Sequence, residues 1–422
     1  MMIEGEEIFF VDYRKDDSKV ILYAPLRSYL ALITKDLMRS LTADSSSEAR
    51  DAFVSRLKDR KLINIQRIAD YIQNSLPELS LALTDDCNLK CVYCIASAGD
   101  AHKRVSMRKE VVEFVIRRYF EHVPQNAAKV YISIAGGGEP AIDIDLLQLC
   151  IDKARAYGGK RGVASISFSM PTNGVYGRRT REYILNNVDD ILLSLDGPDY
   201  IHNVHRPLKN GKGSFDTVFE TARFFYSNKA KLTFRVTVSK QSLPHLRAIA
   251  DFFVEYFPNT FVLLEPLIPH GRGSRSSVET PNFRSFGDGI IDILGYTKGK
   301  PIKIRSSVLT GYDSVRPIYC SSVAIPNWTV SVDGVVYCCL RDGSPDVFKF
   351  GSIDFRDQTI SLEPDKIAAI RKMNVFNYDE CVDCFAKYHC AGDCPDRRLS
   401  YRLGCDVIRK VGGHILNERI SR

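Results

Sequence analysis

The chain has 422 residues, 45% of them hydrophobic and 26% charged, with a net charge of +7. That is the composition of an ordinary globular protein, long enough for two or three domains. No apolar run approaches the roughly 18 residues of a membrane helix, and the mild positive charge accompanies no nucleic-acid motif, so neither membrane nor nucleic acid is an expected partner. The start, Met-Met-Ile-Glu-Gly-Glu-Glu, is acidic and lacks the basic opening of a secretion signal. The expected compartment is therefore the cytoplasm, where thiols stay reduced. The twelve cysteines fall in tight clusters, which in such a setting point to metal ligands.

Residues 1–75 read as a small separate unit. Ile8 to Tyr13 and Lys19 to Tyr23 are short β-prone runs joined by the polar turn Arg14 to Ser18. Leu30, Ile33, Leu37 and Leu41 have helical spacing and predict a helix from Leu26 to Leu41. Thr42 to Ser47 forms a polar link, and Glu48 to Leu62 predicts a second amphipathic helix with Phe53, Leu57 and Leu62 inward.

From Leu79 the pattern becomes alternating. Strands are expected at Leu79–Thr84, Lys129–Ala135, Ala164–Ser169, Asp190–Leu195, Leu232–Ser239 and Thr260–Leu267. Helices fall between them at Ser106–His122, Asp143–Tyr157, Gly177–Asn187, Ser214–Asn228 and Leu243–Phe257, with another at Asn282–Leu294. Repeated β-α units imply a parallel sheet with right-handed crossovers. The strands read as nearly continuous apolar runs, as expected where helices cover a sheet. An α/β barrel and an open doubly wound sheet both fit.

The loop after the first strand is Cys87-Asn88-Leu89-Lys90-Cys91-Val92-Tyr93-Cys94, a C-x3-C-x2-C spacing. Thiolates this close can wrap one iron–sulfur cluster, and three of them leave one iron of a [4Fe–4S] cluster open for chemistry. The stretch resembles the signature of the radical S-adenosylmethionine (radical SAM) enzymes, including the aromatic Tyr93 before the third cysteine. The resemblance implies a partial (β/α)6 TIM-like barrel over residues 76–305. It also implies that S-adenosylmethionine chelates the open iron and, on reduction, releases a 5′-deoxyadenosyl radical. Further strand ends resemble family positions. Gly136-Gly137-Gly138-Glu139-Pro140 is similar to the motif that meets the cofactor's amino group, through Gly138 and Glu139. Pro171-Thr172-Asn173-Gly174 and Ser194-Leu195-Asp196-Gly197 are similar to stretches near the ribose and adenosine, which brings in Asn173 and Ser194. Arg206 matches the arginine that holds the cofactor carboxylate, to which guanidinium is well suited. His202 and His205 have no metal spacing around them and are read as packing or hydrogen-bonding residues.

The third part, residues 306–422, contains Cys320, Cys338, Cys339, Cys381, Cys384, Cys390, Cys394 and Cys405. Their arrangement resembles the SPASM domain, which carries two auxiliary [4Fe–4S] clusters. Zinc is the alternative for paired cysteines. The family pattern assigns Cys381, Cys384, Cys390 and Cys405 to one cluster and Cys320, Cys339 and Cys394 to the other. Relatives have a further cysteine before the one matching Cys320, and here none lies between Cys150 and Cys320. Cys338 is adjacent to Cys339 and would face the other way on a strand. One iron is thus expected to lack a cysteine from the protein. Leu340 stands where sulfatase-maturating relatives carry an aspartate, which argues against formylglycine formation. Cys150 reads as a core residue.

The resemblance implies a maturase of a ribosomally made precursor peptide, with three [4Fe–4S] clusters, S-adenosylmethionine, and a flavodoxin- or ferredoxin-type reductant. Residues 1–75 resemble the winged-helix units that take a leader peptide as an added strand, with a plain packing extension of the barrel as the alternative. Thioether formation is the expected reaction, ahead of carbon–carbon crosslinking and epimerisation. A non-catalytic iron–sulfur or zinc protein is the reading from another class. No side chain is singled out as directly catalytic. Reconstituted protein should hold about twelve irons. Changing Cys87, Cys91 and Cys94 together to alanine should remove one cluster by iron analysis and leave the others.

Overall fold

The computed structural model describes residues 2–3, 5–43, 48–65, 68–100, 105–339, 346–400 and 404–421. Part of the expected polar link (44–47) and Leu340 lie outside the described residues. The chain divides into two compact units, one of residues 75–307 with 325–370, the other of 1–74 with 308–324 and 371–422.

The first unit is built on an eleven-stranded sheet. All six expected strands are present and parallel: Leu79–Leu81, Val130–Ile134, Ile166–Thr172, Asp190–Ser194, Leu232–Val238 and Thr260–Pro266. A further parallel strand, Ile302–Arg305, extends one edge, and Trp328–Val330 pairs in parallel with Leu79–Leu81 on the other side. Three antiparallel strands, Val335–Tyr337, Lys349–Asp354 and Thr359–Leu362, complete it. The crossovers are the helices Lys109–His122, Ile144–Lys160, Arg178–Asn187, Phe215–Ser227 and Leu246–Tyr256, and Phe283–Tyr296 leads into Ile302–Arg305. A short helix not foreseen, Asp199–His205, follows the strand Asp190–Ser194.

The expectation of strands covered on both faces, drawn from their nearly continuous apolar runs, is corrected. Burial alternates along Ile166–Thr172 and Thr260–Pro266, so one face of the sheet packs and the other is half open. Phe168, Met170, Val262 and Leu264 are buried on the first face. On the second, Ser80, Ser133 and Ser169 stand in register across three strands. The period of two in Ser167-Phe168-Ser169-Met170 produces this directly.

The second unit holds a three-stranded antiparallel sheet of Phe9–Asp12, Lys19–Ala24 and Tyr29–Thr34. The expected helix over Leu26–Leu41 is thereby corrected. Ser28 turns the chain in the left-handed region (φ 48°), and Tyr29–Thr34 pairs at all six positions with Lys19–Ala24. The helix starts only at Lys35, where the Thr34 hydroxyl accepts the Leu37 N–H at 3.2 Å. Leu30, Ile33, Leu37 and Leu41 fit helical spacing, but the run Tyr29 to Thr34 is equally β-prone and strand pairing decides it. The second helix is Glu48–Lys58, ending before Leu62, and a third is Ile68–Asn74. Among the described residues five strands, including the short antiparallel pair Met2–Ile3 and Glu6–Glu7, then three helices replace the two-strand, two-helix order behind the winged-helix likeness. The long helix Cys405–Ile420 packs Leu416 with Val11, Ile21 and Tyr23 of the sheet.

The glycine turn after the second parallel strand is packed hard against the first strand's end. A Cβ at Gly136 would lie 2.4 Å from the Ala82 Cβ, and one at Gly138 would lie 1.9 Å from the Asp86 carbonyl oxygen. Gly138→Ala should therefore push back the backbone that leads into Cys87. Overpacking of this kind costs typically about 1–3 kcal/mol, seen as a lower melting temperature. Gly159→Ala, where nothing lies within 4 Å, should leave stability equal or higher.

Candidate active site

The three-cysteine loop lies at the C-terminal end of the strand Leu79–Leu81, the face on which α/β sheets carry their sites. Its backbone is pinned on two sides. Lys90 N–H donates to the Pro207 carbonyl at 2.8 Å and Val92 N–H to that of His205 at 3.0 Å, with an antiparallel bridge between Leu89 and Leu208. Arg272 donates from Nε to the Cys91 carbonyl at 3.0 Å and from Nη1 to Ala98 O and Asp100 Oδ1, at 2.9 and 2.7 Å. Gly271 sits so close that a Cβ would fall 2.5 Å from the Cys94 carbonyl oxygen, and its φ of 54° suits glycine.

The three cysteines are half-buried. Burial pushes the Cys87 thiol up to about 11 and Cys91 up to about 12; Cys87 also feels the charge of Cys94, and Cys91 those of Cys94 and Cys87. Among the described residues no group of three or more His, Cys, Asp or Glu side chains is arranged for a single metal ion. The donor set of three thiols on one eight-residue loop suits a multi-iron cluster, which spreads its ligands wider than one ion does.

Glu139 is 2% exposed. Its N–H donates to the Asp86 carbonyl at 2.9 Å, and Gly138 N–H donates to Thr84 O, so the glycine turn and the cysteine loop are held together. The carboxylate accepts from Ala141 N–H (3.1 Å), Thr172 Oγ1 (2.9 Å) and Asn173 N–H (2.6 Å). Burial pushes its carboxyl up to about 7, against the pull of those three bonds. All three partners are neutral, so a cation arriving here would find a carboxylate awaiting charge compensation.

Asn173 reaches the loop itself, with Nδ2 donating to Asn88 Oδ1 at 2.8 Å and lying 3.5 Å from Cys87 Sγ. Ser194 is half-buried at the end of its strand. Asp196, two residues on, is fully buried and accepts from Tyr93 OH (2.5 Å), Arg206 Nε (3.0 Å) and Thr237 N–H (2.9 Å). Burial alone would raise its carboxyl, but Arg206 and the histidines hold it far below the usual range. Arg206 is thus engaged with Asp196, and its guanidinium lies 5.1 Å from the Tyr93 ring centroid. His205 Nδ1 stands 3.2 Å from Asp196 Oδ2, and His202 Nε2 lies 3.0 Å from Ser214 Oγ, so both histidines serve hydrogen bonding. Burial lowers His202 to about 3 and keeps it neutral.

Tyr93, Gly138, Glu139, Asn173, Ser194 and Arg206 all belong to the first unit with Cys87, Cys91 and Cys94. Sequence reasoning missed Asn88, the anchoring role of Arg272 and the central place of Asp196. The glycine-flanked Arg272 and the Ser194-Leu195-Asp196-Gly197 stretch were the available signals.

Cys338 and Cys339 also lie in the first unit, Cys338 buried with its N–H donated to the Phe348 carbonyl. The second unit holds Cys320, Cys381, Cys384, Cys390, Cys394 and Cys405. Cys381 feels the charges of Cys384 and Cys405, Cys390 those of Cys384 and Cys381, and Cys320 that of Cys394. Between Cys390 and Cys394 the residues Ala391, Gly392 and Asp393 all have positive φ, from 54° to 82°. Cys150 is a buried residue of the helix Ile144–Lys160.

Residues 81–253 match the model of the radical SAM superfamily, and this part of the chain is a radical SAM domain. The chain is similar to the cysteine-type anaerobic sulfatase-maturating enzyme of Clostridium perfringens, with 25% identity over 340 residues that cover 76% of this chain and 89% of that enzyme. Its fold is that of anSMEcpe, solved with bound AdoMet and the Cp18Cys peptide, at a TM-score of 0.63, 20% identity, and coverage of 82% of this chain and 98% of that one. Streptococcus suis SuiB bound to precursor peptide SuiA matches at a TM-score of 0.51 and 14% identity, covering 92% and 94%.

Arg272→Ala should free the loop from Cys91 to Asp100. Losing charged hydrogen bonds costs typically ~1.5–3 kcal/mol each, and amide exchange over that segment should rise.

Proposed function

We propose that this chain is a radical SAM maturase of a precursor peptide and that it forms a thioether between a cysteine sulfur and a carbon of that peptide. The observation that carries the reading is the buried Glu139 carboxyl, bonded only to neutral groups and joined through its backbone to the segment entering the three-cysteine loop. Cys87, Cys91 and Cys94 would hold a [4Fe–4S] cluster, and Glu139 would compensate the ammonium of S-adenosylmethionine. Asn173 would sit beside both, through its N–H to Glu139 and its amide near Cys87. When bound, cluster and S-adenosylmethionine together supply the one-electron chemistry that takes hydrogen from an unactivated carbon. The protein's share is to place the groups and keep the space dry, which Tyr93, Leu267 and Val278 help to do by packing together.

The rest of the reading follows the family pattern. Residues 306–422 would form a SPASM region with auxiliary clusters at Cys381, Cys384, Cys390 and Cys405 and at Cys320, Cys339 and Cys394. Residues 1–75 would receive the leader part of the peptide, and a flavodoxin or ferredoxin would deliver electrons. Support for a peptide substrate comes from the similarity to the sulfatase-maturating enzyme. That similarity also favours a second reading, cysteine oxidation to formylglycine, against which stands Leu340.

Two measurements test this. Crosslinking removes one hydrogen from carbon and one from sulfur, so a thioether product is lighter by two hydrogens and retains its sulfur. Formylglycine loses the sulfur, and mass spectrometry of a cysteine-bearing peptide separates the outcomes. Binding of S-adenosylmethionine near neutral pH should also release protons. Glu139 titrates around 7 when empty, and a bound cation favours its charged form. Calorimetry in buffers of different ionisation heat should show the release, and Glu139→Gln should abolish it and weaken binding by roughly 10- to 150-fold.

A further inference from the structure

The same site contains a second buried acid that the proposed function does not use. Asp196 has no exposed surface, yet four groups converge on its carboxylate. Its Oδ2 takes Tyr93 OH at 2.5 Å and Arg206 Nε at 3.0 Å, with His205 Nδ1 at 3.2 Å. Its Oδ1 takes the Thr237 N–H at 2.9 Å, with Arg206 Nη2 at 3.5 Å. These partners come from three separate stretches of chain: the cysteine loop, the end of helix Asp199–His205, and the strand Leu232–Val238.

Two of these partners are also tied to the cysteine loop. Tyr93 lies between Cys91 and Cys94. His205 and Pro207, on either side of Arg206, accept the N–H groups of Val92 and Lys90. The His205 ring meets the Tyr93 ring edge-on at 5.4 Å, and the Arg206 guanidinium lies over it at 5.1 Å. The positive charge of Arg206 is felt at the Cys91 thiol. Arg206 is therefore held where it can neutralise Asp196 on one side and act on the cysteine loop on the other.

We propose that Asp196 is a positioning residue that fixes Arg206 and Tyr93 against the cysteine loop and, by balancing the charge of Arg206, sets the reduction potential of the cluster held there. The inference rests on the reading that Cys87, Cys91 and Cys94 hold that cluster. Net charge and hydrogen bonding around the ligands are the protein's means of setting such potentials, and a buried charge is little screened. An arginine whose counter-ion is removed favours the more negative, reduced cluster. A neutral pair in place of the ion pair restores the balance.

The test is potentiometric titration of the first cluster, followed by its electron paramagnetic resonance signal, in full-length protein whose auxiliary cysteines are intact. Asp196→Asn keeps the shape and removes the charge, and should raise the midpoint potential. The double variant Asp196→Asn with Arg206→Gln should bring it back toward the parent value. A side chain that only holds the fold would lower the melting temperature in both variants and leave the potential where it was, and that result overturns the proposal. If Asp196→Asn fails to take up the cluster, Arg206→Gln in alkaline buffer carries the test. There the unpaired carboxylate should lower the potential, and an unchanged value overturns the proposal. A parent protein with no redox-active cluster lost on changing Cys87, Cys91 and Cys94 would instead remove the underlying reading.

Discussion

Burying the Asp196 carboxylate next to the Arg206 guanidinium is the constraint around which the site is arranged. Taking two charges out of water costs several kcal/mol per ion, and only close geometry with every other polar atom satisfied offsets it. Here Tyr93, His205 and Thr237 complete the shell of the acid. That requirement fixes the cysteine loop, the end of helix Asp199–His205 and the strand Leu232–Val238 relative to one another. The loop's own hydrogen bonds to His205 and Pro207 then follow from a geometry already set.

Close backbone packing acts as the second constraint. Gly136 and Gly138 let the turn after Val130–Ile134 lie directly on the end of Leu79–Leu81, at distances no side chain allows. Glu139 is carried into a buried position by this contact, and there its carboxyl is driven upward by loss of solvent. Two carboxylates in one site thus meet opposite fates: Asp196 is held charged by a guanidinium, and Glu139 is left between its two protonation states.

Much of this was legible in the sequence because it depends on local chemistry. The six alternating strands and their helices announced themselves by period and length, and Cys87, Cys91, Cys94 and Glu139 by the company they keep. What was not legible depended on distant pairing. Tyr29–Thr34 became a strand because Lys19–Ala24 was there to pair with it, although its leucines also fit a helix. Helix Asp199–His205 is seven residues long and too short for a periodic signal. Helix Cys405–Ile420 carries Gly412 and Gly413 inside it, which hide its helical character. Arg206 was read for a ligand's carboxylate, and its ion pair with Asp196, ten residues earlier, was not foreseen.

The row of Ser80, Ser133 and Ser169 on the open face of the parallel sheet has its own consequence. A hydroxyl turns about its C–O bond to donate or to accept, so the same surface satisfies water, an amide N–H or a carbonyl. A surface of this kind imposes no fixed polarity on what touches it.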